Sequence, residues 1–389
     1  MNKNSIELHY AGKSTEKDIF KIMFATHLKE VRSFGQNRLF NNWKNMLISG
    51  DNLIALNTLL KESKVTGKVK LVYIDPPFAT QQEFRSGKSR TSTISWSPED
   101  ETAYEDKLVG AEYIEFLRKR LFLLKELLAD DGSIYVHIDW KMGHYVKILM
   151  DEIFEQDRFI NDISRIKCNP KNFERKGYGN VKDMVLFYSK TDNYIWNDPR
   201  EKMTDEDIIR LFPKINGEGR RYTTSPLHAP GETRNGPTGQ PWKGLKPPKG
   251  RHWRYSPDEL DRLEENGLIE WSSRGNPRKK IYADEMAVKG KKRQDVWEFK
   301  DPCYPSYPTE KNLDMLKMIV GASSNPDDLV LDCFAGSGTT LVAAEELGRR
   351  WIGIDNSKIS LDASQKRLLS IKNHSTFTVY EIENGESNE

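Results

Sequence analysis

Two short stretches of this chain hold residues that could do chemistry together. Leu331 to Thr340, LDCFAGSGTT, is an apolar run that breaks into a glycine-rich turn and then opens a helix. Glycines let a ligand approach the backbone closely, and a helix start supplies N–H groups with no partner inside the helix. The third glycine of a dinucleotide fingerprint is missing, and no lysine follows Gly338 as it would in a phosphate-binding loop. The turn instead follows Asp332 at the end of one strand, and Asp355, 19 residues beyond Gly336, ends the next. An acid at that second position is placed to accept hydrogen bonds from ribose hydroxyls. An adenosine ligand without a pyrophosphate fits this layout, which makes S-adenosylmethionine the candidate cofactor.

The second stretch is Asp75-Pro76-Pro77-Phe78, where the buried run Val69 to Ile74 stops. Open α/β sheets bind ligands at the carboxyl ends of their strands. An exocyclic amino group on a nucleobase is a poor nucleophile, because its lone pair is conjugated with the ring. A carboxylate and a carbonyl that both accept its protons favour the pyramidal form with the lone pair available. Asp75 can supply the carboxylate and Pro76 the carbonyl, the double proline holding both rigid, and Phe78 can stack on a base that has left the helix. Taken singly, each stretch has a plainer reading: a tight strand-to-helix turn, or an acid beside prolines that end a strand.

The surrounding pattern supplies elements to position both. Strands are expected at Asn45 to Ile48, Val69 to Ile74, Ser133 to Ile138, Asp183 to Tyr188, Leu329 to Asp332 and Trp351 to Asp355. Helices are expected at Asn52 to Leu60, Tyr113 to Leu128, His144 to Phe154, Asn312 to Ala322 and Thr339 to Leu347. Such alternation predicts an α/β fold with a mainly parallel sheet. From about Thr191 to Asp301 the texture changes to proline- and glycine-rich sequence. Lys214 to Arg254 holds nine basic residues against two acidic ones, a local balance of +7, with Trp242, Trp253, Tyr255, Trp271 and Trp297 in and after it. A basic, aromatic surface of this kind suits nucleic acid. Arg234, Lys243, Arg251, Arg254 and Arg274 are the candidate DNA contacts.

Composition narrows the classes. The chain has 389 residues, 60 Lys+Arg against 58 Asp+Glu, and 37% apolar residues, so its net charge of +2 conceals the basic segment. Cys168, Cys303 and Cys333 form no CxxC pair, which argues against a disulfide framework or structural zinc and fits a reducing cytoplasm. No window approaches the roughly 20 apolar residues that span a bilayer, so no membrane partner is expected. His137, alternating with apolar residues, reads as a core histidine, and Cys333 as a small filler.

The pair DPPF and FAGSG resembles motifs IV and I of the amino-methyltransferases that act on DNA, and their order, DPPF before the basic insert and FAGSG after it, resembles the β class. Leu47 to Asn52, Ser133 to Trp140 and Tyr307 to Lys311 fit as well. The resemblance implies a circularly permuted Rossmann-like methyltransferase sheet with helices on both faces and an inserted basic target-recognition module. The expected organisation is an extension of unassigned role over 1–40, a catalytic half over 41–190, the insert over 191–301, a cofactor half over 302–378 and a polar tail over 379–389. By the same resemblance Phe334, Ala335, Gly336, Ser337 and Gly338 wrap the methionine end of the cofactor, Thr339 follows, and Asp355 holds the ribose. Asp51 lies near the adenine ring, and Thr309 and Lys311 contact the methionine carboxylate. The family more often has tyrosine at the position of Phe78, a change that stacking survives.

These features imply a site-specific enzyme that flips an adenine from double-stranded DNA and methylates N6. Aspartate at position 75 is usual for adenine-N6 enzymes and serine for cytosine-N4 enzymes. The transferred methyl already sits on a sulfonium, so no metal is required. A cognate restriction endonuclease and a homodimer are the partners such an enzyme suggests. The alternatives are cytosine N4, an RNA guanine-N2 enzyme whose motif order would differ, a non-catalytic DNA-binding subunit that would need neither stretch, and a nicotinamide oxidoreductase that would want the third glycine.

Overall fold

Strands buried on both faces lose the apolar–polar alternation of a half-exposed sheet and become continuous apolar runs, and several such runs form the centre of this molecule. The computed structural model of the chain describes residues 6–21, 26–35, 43–77, 83–86, 101–105, 108–170, 174, 176–302 and 310–384. Phe78 and Thr309 lie outside them, as does Cys303. The described residues divide into two compact units, one formed by Met1–Asn197 with Gln294–Glu389 and the other by Asp198–Arg293.

In the larger unit the strands are β1 (Thr26–Phe34), β2 (Asn45–Ser49), β3 (Val69–Ile74), β4 (Leu128–Ile138), β5 (Phe159–Ile166), β6 (Lys182–Ser189), β7 (Val296–Glu298), β8 (Leu329–Asp332), β9 (Arg350–Asp355) and β10 (Phe377–Asn384). They form one sheet in the order β1-β10-β2-β9-β8-β3-β4-β6-β5-β7. The run from β10 to β4 is parallel throughout. Antiparallel pairs join β1 to β10 and β6 to both β4 and β5, while β7 runs parallel to β5. The sheet is therefore mixed at both flanks and parallel where the candidate residues lie.

Helices α1 (Glu16–Lys21), α2 (Asn52–Leu59), α3 (Gly110–Leu127) and α4 (Gly143–Phe154) cover one face, packing on Ile48, Val72, Ile74, Val136 and Ile354. Helices α5 (Leu313–Ser323), α6 (Thr339–Glu346) and α7 (Lys358–Ser370) cover the other, on Leu47, Leu71, Tyr73, Val330 and Trp351. Successive side chains of a strand point to opposite faces, so each central strand feeds both cores. Each half of the chain thus supplies the helices of one face. None of the described helices is long and apolar enough to cross a membrane.

The ends of the chain depart from the sequence reading. The stretch expected as a tail over 379–389 is β10 as far as Asn384, inserted between β1 and β2. Part of the extension over 1–40 forms α1, whose Ile19 is buried, and β1, which pairs along the length of β10.

The smaller unit carries a four-stranded antiparallel sheet in the order Lys214–Ile215, Arg221–Pro226, Pro277–Tyr282, Ile269–Trp271. Helices Asp205–Leu211 and Pro257–Glu265 both begin with capping boxes, Thr204 with Asp207 and Ser256 with Glu259. Leu227, Trp242, Trp253, Leu260 and Ile269 form its core. Trp242 and Trp253 therefore hold this unit together and do not form an aromatic surface, and Trp297 is buried against the main sheet in β7. Trp271, stacked on Trp242 at 5.6 Å, is 41% exposed.

Candidate active site

Strands β3 and β8 lie side by side, Leu331 opposite Val72, so Asp75 and the glycine turn leave the sheet at neighbouring carboxyl ends. From β8 the chain proceeds to β9 on one side, and β3 has β4 on the other. This is the reversal of strand order where open α/β sheets form their crevice.

Gly336 and Gly338 both have left-handed backbone, with φ of +51° and +74°. A Cβ at Gly338 would stand 2.7 Å from Ser364 Oγ of α7, so that glycine allows the helix to pack against the turn. Among the described residues, a Cβ at Gly336 would meet only the Phe334 carbonyl oxygen, at 3.9 Å. That clearance, with the helix start of α6 next to it, fits a ligand that must approach the backbone. The turn is tied down from several sides. Ala335 donates its N–H to the Ile354 carbonyl at 3.0 Å and Ser364 Oγ donates to the Gly336 carbonyl at 2.8 Å. Arg367 Nη1 donates to Ser337 O, Ser337 Oγ and Thr339 Oγ1 at 3.1, 2.8 and 2.9 Å, and its other nitrogen pairs with Glu310 at 3.2 Å.

Both strand-end acids are engaged with this turn. Asp355 accepts the Gly336 N–H at 2.8 Å and the Ser357 N–H at 2.9 Å, and burial raises its pKa. Asp332 accepts the Phe334 N–H at 2.9 Å and is fully enclosed, which pushes its pKa up to about 7. Its sign is opposite to that of an ordinary paired carboxylate. The unfolded chain releases this proton near pH 4 while the folded chain keeps it to about pH 7, so folding is disfavoured as pH rises through that window. Asp332→Asn, which still accepts the Phe334 N–H, is expected to stabilise the protein at pH 8 by on the order of 2–4 kcal/mol relative to pH 4. Thermal melts of both proteins across this range test it, and equal shifts at the two pH values would refute it.

Asp51 caps α2, accepting the N–H groups of Leu53 and Ile54 at 2.7 and 3.3 Å. Its other oxygen is 3.4 Å from Arg120. Arg120, on α3, donates from Nε to Asn52 Oδ1 at 2.5 Å, and Asn52 donates to the Cys333 carbonyl at 2.7 Å. The guanidinium lies 3.6 Å from the Phe116 ring centroid, and Phe116 is in turn 6.0 Å from the ring of Phe334. Burial lowers the Arg120 pKa to about 10, which leaves it cationic at neutral pH. Neither Arg120 nor Arg367 is among the residues the sequence singled out. Each is one basic residue on an amphipathic helix, and only the fold shows that its partners come from the glycine turn or its neighbours.

Beyond the end of β3 Pro76 is buried, and Asp75 Oδ2 forms an ion pair with Lys311. Asp75 Oδ1 is buried and has no hydrogen-bond partner among the described residues. Unmatched buried acceptors are costly and point to a missing partner. His137, one strand over, sits in the sheet core with Nδ1 2.8 Å from the Tyr73 hydroxyl and Nε2 3.3 Å from Asp183. Burial drives the thiol of Cys333 well above its usual pKa, so it is no thiolate nucleophile.

In the smaller unit Arg234, Lys243, Arg251, Arg254 and Arg274 are all exposed. Lys243 is paired with Glu264, and Arg251 lies 3.1 Å from His228 Nδ1. The side chains of Arg234, Arg254 and Arg274 have no partner among the described residues.

Comparison with known proteins bears on the same residues. A family model described as DNA methylase, covering N6 and N4 enzymes, matches residues 69–366, from the start of β3 into α7. The type II methyltransferase M.EcaI of Enterobacter cloacae is 44% identical, with 93% of this chain and 77% of that protein covered. M.KpnI of Klebsiella pneumoniae, another type II methyltransferase, is 28% identical over 84% of this chain and 80% of its own length. The Mod subunit of the type III restriction-modification enzyme EcoPI, from Escherichia phage P1, is 25% identical over 92% of this chain and 63% of its own.

Proposed function

Because the chain belongs to the S-adenosylmethionine-dependent DNA methyltransferases of the N6-adenine and N4-cytosine family, we propose that it takes an adenine out of duplex DNA at a specific sequence and methylates N6. The observation that carries this reading is Asp75. It is a carboxylate at the end of β3, beside the glycine turn at the end of β8, with one buried oxygen that lacks a partner among the described residues.

When bound, S-adenosylmethionine would supply a methyl group whose bond to the sulfonium sulfur breaks as the amino lone pair attacks the methyl carbon, the neutral thioether S-adenosylhomocysteine being the leaving group. Phe334, Ala335, Gly336, Ser337, Gly338 and Thr339 would hold its methionine end, with Asp332 and Asp355 fixing the shape of that turn and Asp355 and Asp51 facing its nucleoside. Asp75 and the Pro76 carbonyl would accept the two amino protons, drawing the nitrogen toward the geometry in which its lone pair is free. As the nitrogen–carbon bond forms, the surplus proton on nitrogen leaves toward the Asp75 carboxylate or water. Aligning the amino group and excluding water supply most of the rate. Phe78 would stack on the flipped base, and Thr309 and Lys311 would meet the methionine carboxylate. An aspartate at position 75 is what favours adenine over cytosine.

The deciding experiment is nucleoside mass spectrometry of a plasmid incubated with the purified protein and S-adenosylmethionine, followed by sequence mapping of the modified base. N6-methyladenine in one context supports the reading. N4-methylcytosine reverses the choice of base, and an absence of methylated DNA overturns the proposal.

DNA recognition is assigned to the smaller unit, through Arg234, Lys243, Arg251, Arg254 and Arg274. Arg254→Gln with Arg274→Gln is expected to reduce the slope of log affinity against log salt by about 1–2 and to weaken binding to all sequences alike, as loss of phosphate contacts does. An unchanged slope would place these two arginines away from DNA. The type II relatives also suggest a cognate restriction endonuclease. Whether the chain works as a homodimer is open to sedimentation measurements.

A further inference from the structure

The Lys311 ammonium is paired with Asp75, the carboxylate assigned above to the target amino group, and Lys311 itself is only 9% exposed. Its neighbour Glu310 is paired with Arg367, whose guanidinium holds Ser337 and Thr339 of the glycine turn. Two successive residues thus join the half-site of the cofactor to the half-site of the base. The geometry points to a latch: Lys311 occupies Asp75 until the cofactor is in place, so that capture of the target amino group depends on the methyl donor being present.

The chemistry follows from competition for one cation. A carboxylate that neutralises a buried ammonium is a weaker acceptor for a neutral amino group than one left without its counter-ion. With Oδ2 engaged by Lys311, Asp75 can offer only Oδ1, which is buried and without a partner among the described residues. A second anion delivered to Lys311, such as the methionine carboxylate of the cofactor, draws the ammonium away and leaves Asp75 with both oxygens for the base. The pairing of Glu310 with Arg367 couples this exchange to the turn that the cofactor fills. The latch rests on the methyltransferase reading above and adds an order to it, cofactor before base.

The test uses the full chain and a duplex carrying 2-aminopurine immediately beside the mapped target adenine, where its fluorescence rises when the target base leaves the stack. In the wild type, S-adenosylhomocysteine is expected to raise the signal severalfold. In Lys311→Met the signal without any cofactor should already approach the level of the liganded wild type, while Lys311→Arg should keep the cofactor dependence. A Lys311→Met protein that binds S-adenosylhomocysteine more weakly yet stays as dark as the cofactor-free wild type overturns the latch and leaves Lys311 a cofactor ligand only. A wild type that flips the base equally with and without S-adenosylhomocysteine also overturns it, with the methyltransferase reading intact. Loss of both flipping and methyl transfer in the wild type overturns the two together. Should Lys311→Met fail to fold, a crystal structure of the wild type with S-adenosylhomocysteine decides: separation of Lys311 from Asp75 supports the latch, and a preserved pair refutes it.

Discussion

Asp75→Ala should lower the rate of methyl transfer by at least about 10²–10³-fold, the loss typical when a group aimed at the reacting atom is removed, while S-adenosylhomocysteine binds as tightly as to the wild type or more so. The two halves of this expectation have different physical origins. Asp75 closes β3 on the base side, whereas the glycine turn is held by Asp332, Asp355, Ser364 and Arg367, none of which the substitution touches. The alanine also deprives Lys311 of its counter-ion, which makes that cation available to an incoming carboxylate. Removing an anion from beside a mostly buried ammonium can cost several kcal/mol of stability, so Asp75→Asn, with nearly unchanged volume, is the companion variant. Single-turnover assays at saturating DNA, with calorimetric titration of S-adenosylhomocysteine, separate the effects. A rate within tenfold of the wild type in both variants would remove Asp75 from the chemistry.

The parts of this site that were legible in the sequence are those whose chemistry is local. Asp75-Pro76-Pro77 announces itself because no proline can continue a ladder, and the glycine turn because left-handed backbone at 336 and 338 demands glycine. The central strands were legible for a related reason: Leu71 to Ile74 and Leu329 to Leu331 are apolar without interruption, as burial on both faces requires. Arg120 and Arg367 were not, since a guanidinium buried by a distant turn looks in sequence like any exposed base on a helix. The flanking strands β1 and β10 were missed because strands toward a sheet edge carry charge, and Glu381 and Glu383 made β10 resemble a tail. Tryptophans in the basic segment misled in the opposite direction. A unit of this size with few aliphatic residues builds its core from Trp242 and Trp253, and composition cannot distinguish an aromatic core from an aromatic surface.

The largest loss of stability is expected from Asp183→Ala, at a residue 1% exposed near the start of β6. Asp183 accepts from Lys167 at 2.6 Å, faces His137 at 3.3 Å and lies 3.7 Å from Arg165, which is itself fully buried. Burial alone would raise its pKa, but the hydrogen bond and charge of His137, together with Lys167, hold it well below the usual carboxylate range. Arg165 keeps the Phe299 carbonyl at 2.8 Å and Asp301 at 2.5 Å when Asp183 is gone. Arg165 loses one of the two anions facing it, Lys167 and His137 lose an acceptor, and breaking a buried ion pair by removing one partner costs about 3–5 kcal/mol. Because the folded pKa is depressed, this stabilisation is present in full above the unfolded value near pH 4 and fades only as pH falls through the folded one. Melting curves of the wild type and Asp183→Ala should therefore stay separated by a nearly constant gap from about pH 8 down to about pH 4, and draw together only below that. This is opposite in sign to the behaviour of Asp332, whose burial, with no cation paired to it among the described residues, penalises the ionised form. Two aspartates of one sheet thus pull the pH profile in opposite directions, according to whether a cation was buried with them. A gap below about 1 kcal/mol at neutral pH, or one already closed at pH 6, would mean that the charge on Asp183 is not what holds β4, β5 and β6 together.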